Sequence, residues 1–142
     1  ALRVRRFQVK SKLNLYTAEI EACIAHFKLA WPGIEVPPIV YNGRLRRAVA
    51  RLVFKRRERT PIKIELSAKM LTFDSERFCQ TLLHELAHVA DLALYGNASH
   101  GFDWQLCMAR LGVTPHRLYT PEQVVSIPCS VLIKIDQLRK SA

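Results

Sequence analysis

The chain has 142 residues, 49% of them hydrophobic and 24% charged, a composition that predicts one globular domain over residues 1–142 and excludes a disordered chain. No apolar run approaches the roughly 18 residues that cross a bilayer, and the basic N-terminus lacks the apolar segment of a signal peptide. The charge is unusual, because the chain has 22 Lys and Arg but only 12 Asp and Glu, which gives a formal net charge of +10. Such an excess of positive charge is typical of proteins that contact polyanions.

The cysteines are widely separated, and no two of them form a CxxC pair. The sequence therefore predicts neither a disulfide framework nor a cysteine-built zinc site. We expect reduced thiols that pack as small apolar side chains, in a protein located inside the cell, in the cytoplasm and nucleoid or in the nucleus. The four cysteines are Cys23, Cys79, Cys107 and Cys129.

The first third of the chain predicts one helix and one short strand. Apolar residues recur at helical spacing over residues 17–31, with Thr17 as the expected N-cap, and Pro32 and Gly33 end this helix. A short extended segment is expected at residues 39–41, followed by a turn at Asn42 and Gly43.

A hairpin is one interpretation of the next segment. Residues 45–54 fit either a helix or a strand, because their apolar positions satisfy both periods. Residues 61–66, PIKIEL, alternate between apolar and charged side chains and predict a half-buried strand. If residues 45–54 form the partner of this strand, the basic residues around them lie on a sheet and its turn.

Those basic residues form a cluster that predicts a nucleic-acid partner. Arginine outnumbers lysine in it, and guanidinium groups match phosphate geometry well. We expect single-stranded or duplex DNA as the partner, while a charged surface that only maintains solubility is the simpler alternative. A membrane partner is not expected, because no lipidation signal or amphipathic anchor accompanies the charge. The cluster comprises Arg44, Arg46, Arg47, Arg51, Lys55, Arg56 and Arg57.

The second half of the chain predicts a long buried helix and a shorter one. Asp74 is a suitable N-cap for a helix over residues 75–94, which is apolar around much of its circumference and ends at the sequence Tyr-Gly-Asn of residues 95–97. A second helix is expected from Gly101 to Gly112. Further predictions are a helical turn at residues 120–123, a last strand within residues 127–135 and a polar tail after Asp136.

The long helix carries the motif HExxH. His84 and His88 are four residues apart, so both rings project from one face of the helix and can bind one zinc ion. Glu85 can reach a water molecule at such a metal and act as the general base. His100 follows after a turn and is the expected third ligand. Three protein ligands and one open position are typical of a catalytic zinc site.

The surroundings of the motif suggest additional roles. Gly96 and Asn97 allow the chain reversal that would bring His100 back to the helix. Asp91 lies on the same helical face, either as a hydrogen-bond acceptor for a ligand histidine or as a simple exposed acid. A peptidase also needs a group that stabilises the developing oxyanion. The sequence does not choose among the three candidates Tyr95, Tyr119 and Arg117.

Three blocks in the same order resemble the SprT-like family of zinc metalloproteases. They are IKIELSAKML, LLHELAHVADLALYG and HGFDWQLCMARLGV, and the resemblance covers residues 14–113. It implies an α+β, zincin-like fold in which a small sheet packs on the HExxH helix. It also implies one zinc ion on His84, His88 and His100, Glu85 as catalytic acid and base, and a substrate strand along the sheet edge.

One part of the family pattern is missing, and one position is ambiguous. Many members carry a cysteine-based zinc ribbon after this domain, whereas residues 114–142 contain only Cys129. Any nucleic-acid contact would then depend on the basic N-terminal half. The family's aromatic position after the His-Gly pair corresponds to Phe102 or to Trp104.

The sequence thus predicts a zinc-dependent endopeptidase that cleaves DNA-associated or DNA-crosslinked proteins. One alternative is a nucleic-acid-binding or scaffolding zinc protein of the same fold with little peptidase activity. Another is a zinc peptidase with no nucleic-acid role, whose charge serves a different polyanion.

Overall fold

The computed structural model describes residues 12–114 and 127–141. Two short 3-10 segments, Lys12–Tyr16 and Ala68–Thr72, precede the first and second helices. The helices are α1 (Thr17–Ala30), α2 (Ser75–Tyr95), α3 (Phe102–Arg110) and α4 (Cys129–Ser141), and the strands are β1 (Ile39–Tyr41), β2 (Ala50–Lys55) and β3 (Thr60–Leu66). This architecture confirms the predicted α+β class. Within the described ranges, no helix is long and apolar enough to span a bilayer.

The three strands form one small sheet in the order β1-β3-β2. β1 is parallel to β3, and β2 is antiparallel to β3 with Leu52 opposite Ile64. β2 is therefore the hairpin partner of β3, so the strand interpretation of this segment is confirmed for residues 50–55. A register shift between Val53 and Phe54 bends the hairpin. β2 lies at one edge of the sheet and packs against α2 on its inner side.

Helix α2 is the centre of the fold. Its N-terminus is capped by Asp74, whose Oδ1 accepts a hydrogen bond from the backbone N–H of Arg77 at 2.8 Å. Its C-terminus ends at Gly96, which has a left-handed conformation (φ 71°) and donates its N–H to the carbonyl of Leu92 at 3.0 Å. Fourteen of its residues, from Phe78 to Leu92, are buried. The predicted helix over residues 75–94 is confirmed.

Helices α1 and α3 pack on α2, and α4 packs on α1. Phe78 of α2 stacks on Tyr16 with ring centroids 4.1 Å apart. α1 and α4 are joined by an ion pair between the buried carboxylate of Glu19 and Arg139, 2.6 Å apart, and Glu19 also accepts a hydrogen bond from Ser75 at the start of α2. The predicted helices over residues 17–31 and 101–112 are confirmed, at Thr17–Ala30 and Phe102–Arg110.

Two local predictions are wrong. Residues 127–135 were expected to form a strand, but α4 begins at Cys129 and buries Val131 and Ile135, which lie four residues apart on its inner face. The alternation of apolar residues there is accidental, since Ile133 is exposed. Thr17 does not cap α1, because it is the first helical residue and its hydroxyl donates to the carbonyl of Asn14.

The cysteines are all free, as expected, and Cys23, Cys79 and Cys107 are buried. Cys129 is exposed at the start of α4, so the expectation of a buried thiol is wrong there. The helical turn predicted at residues 120–123 lies outside the described residues.

Asp91 is a buried acid where α2 meets α3. Its side chain is 0% exposed, and among the described residues neither carboxylate oxygen has a hydrogen-bond partner. Burial, and then the negative charge of Asp103 on α3, raises the pKa of the Asp91 carboxyl to about 6. In an unfolded chain this carboxyl ionises near its ordinary pKa of 3.8. The stabilisation from the protonated form is therefore complete below pH 3.8 and is lost as the pH rises through 6.

We therefore expect Asp91→Asn to stabilise the metal-free protein in a pH-dependent manner. The free energy of unfolding should exceed that of the unmodified protein by roughly 1–3 kcal/mol at pH 8 and should match it near pH 4, because only the aspartate becomes a buried charge. Urea denaturation followed by circular dichroism at both pH values measures this difference. Asp136→Asn, which removes an exposed acid on α4, should show no such pH dependence. If the difference in the free energy of unfolding between Asp91→Asn and the unmodified protein is no larger at pH 8 than at pH 4, the raised pKa is wrong.

Candidate metal centre

Three imidazoles meet on one side of α2. His84 and His88 lie one turn apart on the helix, and His100 approaches them from the connection between α2 and α3. The Nε2 atom of His100 lies 3.0 Å from that of His84 and 3.2 Å from that of His88. One candidate ligand atom from each of the three residues lies within 4.8 Å of the other two. The structure therefore brings together the three histidines that the sequence singled out.

The spacing of these nitrogens fits a tetrahedral metal ion. Nitrogens bonded at about 2.0–2.1 Å to a tetrahedral centre are about 3.3 Å apart, close to the separations seen here. Three nitrogen donors on one side leave a fourth position for another ligand. The three histidines can accordingly hold a metal ion.

Burial keeps two of these imidazoles in the form that binds metals. Burial, and then the positive charge of His100, lowers the pKa of His84 to about 4. Burial, followed by the charges of His84 and His100, lowers the pKa of His88 to about 3. Both rings are therefore neutral at pH 7, and protons do not compete with a metal ion until the solution is strongly acidic.

Trp104 of α3 lies against all three histidines. Its indole is 0% exposed, and its centroid is 4.7 Å from those of His84 and His100 and 5.3 Å from that of His88. The indole N–H donates to the backbone carbonyl of His84 at 3.3 Å. This side chain restricts the ring orientations of the cluster. Phe102, the other residue considered for the aromatic position, is 72% exposed and points away.

Short-range hydrogen bonds fix the loop that carries His100. After the left-handed Gly96, the side-chain amide of Asn97 donates to Asp103 at 2.9 Å, and the backbone N–H of Gly101 donates to the hydroxyl of Ser99. Gln105 donates to the carbonyl of His100. The reversal expected at Gly96 and Asn97 is present and is held at both ends.

Glu85 lies beside the histidine cluster in a nearly enclosed position. Its side chain is 7% exposed, and its carboxylate accepts a hydrogen bond from the backbone N–H of Leu52 in β2. Burial raises the pKa of Glu85 to about 7, and the hydrogen bond from Leu52 counteracts part of that rise. A carboxyl group with this pKa can both accept and release a proton near neutral pH.

A cavity of about 830 Å³ opens above Glu85 and the histidines. One wall is β2, including Leu52 and Phe54, and the other is the face of α2 that carries Arg77 and Thr81. β2 is an edge strand, so one side of its backbone is not paired within the sheet of the described residues. The residues of this strand that line the cavity, together with Val49 just before it, are Ala50, Arg51, Leu52 and Phe54. An extended chain can therefore add to β2 directly above the polar cluster.

Among the described residues, the other predicted site residues do not join the cluster. Asp91 makes no hydrogen bond to His88 within the described part of the chain, so its role toward the histidines stays a prediction. Tyr95 is 52% exposed and lines a separate small cavity beside Trp31. Arg117 and Tyr119 lie outside the described residues.

The seven basic residues of the predicted nucleic-acid cluster are all exposed. They follow β2 from the loop before it to the turn after it, and Arg47 and Arg51 also line the cavity. Among the described residues, Arg51 alone of the seven forms an ion pair, with Glu65 at 2.7 Å. The structure thus arranges these charges as a stripe along β2, and their role in nucleic-acid binding stays a prediction.

Sequence reasoning missed two groups at this site. The first is the backbone amide of Leu52, which no choice of side chain in the sequence could indicate. This amide reaches Glu85 only because the hairpin packs on α2. Arg77 could have been found, because it precedes His84 by seven residues, which is two helical turns and the same face.

Comparison with known proteins supports a family assignment. The model of the SprT-like family matches residues 23–125. The germ cell nuclear acidic protein of Drosophila melanogaster is 36% identical over 75 residues, which is 51% of this chain and 7% of that protein. The chain therefore corresponds to only a small part of that relative. No solved structure matches the chain.

The family match extends over well over half of the chain and includes the three histidines, Glu85 and Trp104. By this match, the chain belongs to the SprT-like family.

Proposed function

We propose that this protein is a zinc-dependent endopeptidase that cleaves DNA-associated or DNA-crosslinked proteins. The observation that carries the proposal is the combination of three converging imidazole nitrogens with a buried carboxyl group, Glu85, at the floor of a cleft bordered by an edge strand. Membership of the SprT-like family supports it.

Zinc is the metal that best suits the donor set. Imidazole nitrogens bind several transition metals, but three of them with one open position are typical of catalytic zinc. A zinc ion held by His84, His88 and His100 would supply the Lewis acidity that activates water and polarises a peptide carbonyl. Trp104 would hold the three rings in the orientation that this binding needs.

Glu85 is the residue to which we assign proton transfer. Its carboxylate would take a proton from the attacking water and deliver it to the nitrogen of the leaving amine. A nearby cation would lower its pKa below about 7, so that the ionised form is ready at neutral pH. The hydrogen bond from Leu52 fixes the carboxylate against β2.

The edge of β2 is the surface to which we assign the substrate backbone. A peptide that pairs with this edge lies across the cavity with its carbonyls above Glu85, and its main-chain hydrogen bonds depend little on sequence. Apolar side chains of Leu52, Phe54 and Phe73 line the same cavity and would contact substrate side chains. A cleft of this form suits an extended or unfolded segment of a protein.

The exposed basic stripe supports a DNA partner. Arg56 and Arg57 lie in the turn at the end of β2, and neither forms an ion pair with a described residue. Unpaired guanidinium groups on a projecting turn suit phosphate contacts. DNA bound there would keep the protein close to its substrates, in the nucleoid or the nucleus. The alternative function, a zinc-holding scaffold that binds nucleic acid and cleaves nothing, depends on this stripe alone.

The first prediction concerns Glu85. Glu85→Gln should still bind one metal ion per chain, because the three histidines are unchanged, but its cleavage rate should fall by at least about 100-fold, because proton transfer is lost. The assay follows an unstructured basic protein by gel, without DNA, with single-stranded DNA and with duplex DNA. Metal content is measured by atomic emission. Glu76→Gln, an exposed glutamate in the first turn of α2, is the matched control and should cleave normally. Persistent cleavage by Glu85→Gln would contradict the mechanism, and binding without cleavage by the unmodified protein would favour the scaffold.

The second prediction concerns Trp104. Trp104→Leu should weaken zinc affinity by about tenfold, because the histidine rings lose the surface that orients them. The zinc affinity of Trp104→Phe should lie between those of Trp104→Leu and the unmodified protein. Competition with a chromophoric chelator measures the affinity, and circular dichroism of the metal-free variants checks the fold. Trp31→Phe changes the other tryptophan, which packs on Phe27 away from the site, and should leave affinity unchanged. If Trp104→Leu folds and binds zinc as tightly as the unmodified protein, the orienting role is wrong.

The third prediction concerns DNA. Replacing both Arg56 and Arg57 with Ala should weaken DNA binding and reduce the slope of log K against log salt by about 2, because two phosphate contacts are lost. The slope is measured by fluorescence anisotropy between about 50 and 200 mM salt, the range over which such contacts weaken. The control pair Lys28→Ala and Lys134→Ala removes the same charge from α1 and α4. Equal effects of the two pairs would show that net charge, and not the turn, governs binding.

A further inference from the structure

Two arginines line the cavity, Arg77 near the start of α2 and Arg47 in the loop before β2. We propose that these arginines form a subsite that binds an acidic side chain of the substrate peptide. This inference rests on the proposed peptidase function and adds a specificity to it. It concerns a different part of the cleft from the histidine cluster.

Arg77 belongs to the functional face of α2. It precedes Thr81 by four residues and Glu85 by eight, and all three side chains line the cavity. Arg77 is half-buried, and its guanidinium forms no ion pair with a described residue. A cation that has lost part of its hydration and has no partner favours an anion that enters the cavity.

Arg47 belongs to the loop before β2, which we place at the same end of the cavity. The loop before β2 is tied to the start of α2, because the backbone N–H of Ser67 donates to the carbonyl of Val49 at 2.9 Å and Ser67 precedes the 3-10 segment that leads to Asp74. Arg51 also borders the cavity, but Glu65 neutralises it. Arg47 and Arg77 are therefore the two cationic groups of the cavity without an ion pair among the described residues.

The acid at this end does not cancel the two arginines. Asp74 lines the cavity, but its carboxylate caps α2 by accepting the backbone N–H of Arg77 at 2.8 Å. Its charge is thus directed toward the helix N-terminus, where the helix dipole stabilises it. Two guanidinium groups remain available to one incoming carboxylate.

The helix geometry fixes the distance of this subsite from the cleaved bond. Eight residues of helix separate Arg77 from Glu85, about 12 Å at 1.5 Å per residue. A paired peptide strand advances about 3.3 Å per residue, so the acidic residue lies three or four positions from the cleaved bond. Antiparallel pairing with β2, the more stable arrangement, directs the peptide from Phe54 toward Arg47. The acidic residue is then on the C-terminal side of the bond.

A peptide suits this subsite better than a nucleic acid. The arginines share the cavity with the carboxyl groups of Asp74 and Glu85 and with the apolar side chains of Leu52 and Phe73. A phosphate backbone entering here would meet both acids, whereas a single carboxylate flanked by apolar side chains would not. Phosphate contacts are better served by the fully exposed turn after β2.

The test compares three peptides that differ only in the residue three positions after the cleaved bond, which is Glu, Gln or Lys. Cleavage is measured as kcat/KM with the zinc-loaded protein, and binding is measured by fluorescence anisotropy with the zinc-loaded Glu85→Gln variant. We expect the Glu peptide to exceed the Gln peptide about tenfold in both measurements, since a buried charge-assisted pair contributes on the order of 1.4 kcal/mol. Scanning Glu across the four positions on either side of the bond locates the subsite.

Arg77→Gln should abolish the preference for the Glu peptide, while kcat/KM and binding of the Gln peptide should stay nearly the same. The matched control is Arg59→Gln, the same change in the turn between β2 and β3, outside the cavity; it should retain the preference. Equal losses in the two variants would overturn the inference in favour of long-range charge. If Arg77→Gln weakens the binding of a single-stranded oligonucleotide more than it weakens the binding of the Glu peptide, the inference would be overturned in favour of a nucleic-acid site.

The two proposals fail in different ways. If all three peptides are cleaved equally, the acidic subsite is wrong and the peptidase function stands. If none is cleaved but the Glu peptide binds selectively through Arg77, the subsite is supported and the peptidase function is wrong.

Discussion

The structure depends on the burial of polar groups on α2. This helix is covered on almost all sides, yet it places two imidazoles and a carboxyl group toward one cavity. Burial of ionisable groups without compensation is costly. Here the histidines are neutral because burial lowers their pKa, and Glu85 receives a hydrogen bond from Leu52. Burial of the apolar residues stabilises the helix, and burial of His84 and His88 keeps their imidazoles free of protons and able to bind a metal ion.

The same constraint determines where the sheet must lie. Glu85 requires a donor on its solvent side, and the backbone of β2 provides it through Leu52. Because β2 is the edge strand, the donor belongs to the element that borders the cleft. The position of the carboxyl group and the shape of the cavity are thus coupled. Any displacement of the hairpin would alter the pKa of Glu85 and the width of the cleft together.

Local patterns predicted most of the fold and the histidine cluster. The capped, apolar helix over residues 75–94, the hairpin strand at residues 61–66 and the HExxH spacing depend on residues near in sequence. What could not be predicted depends on tertiary packing. Residues 127–135 alternate like a strand, but packing against α1 selects the helical arrangement in which Val131 and Ile135 are buried. The choice between Phe102 and Trp104, and the amide that contacts Glu85, likewise require the positions of α3 and β2.

The excess of positive charge does not act as a single surface. Arg51 is neutralised by Glu65, Arg47 and Arg77 border the cavity, and Arg56 and Arg57 are exposed on the turn. Of these five arginines, only Arg56 and Arg57 lie outside the cavity lining, so they can meet a large polyanion without approaching the acids of the cavity. From Leu52 to Lys55, at the start of that turn, β2 advances about 10 Å. On the proposed function, DNA at the turn would thus hold a protein attached to it within reach of Glu85, while the two arginines of the cavity, Arg47 and Arg77, remain free to select the segment that enters.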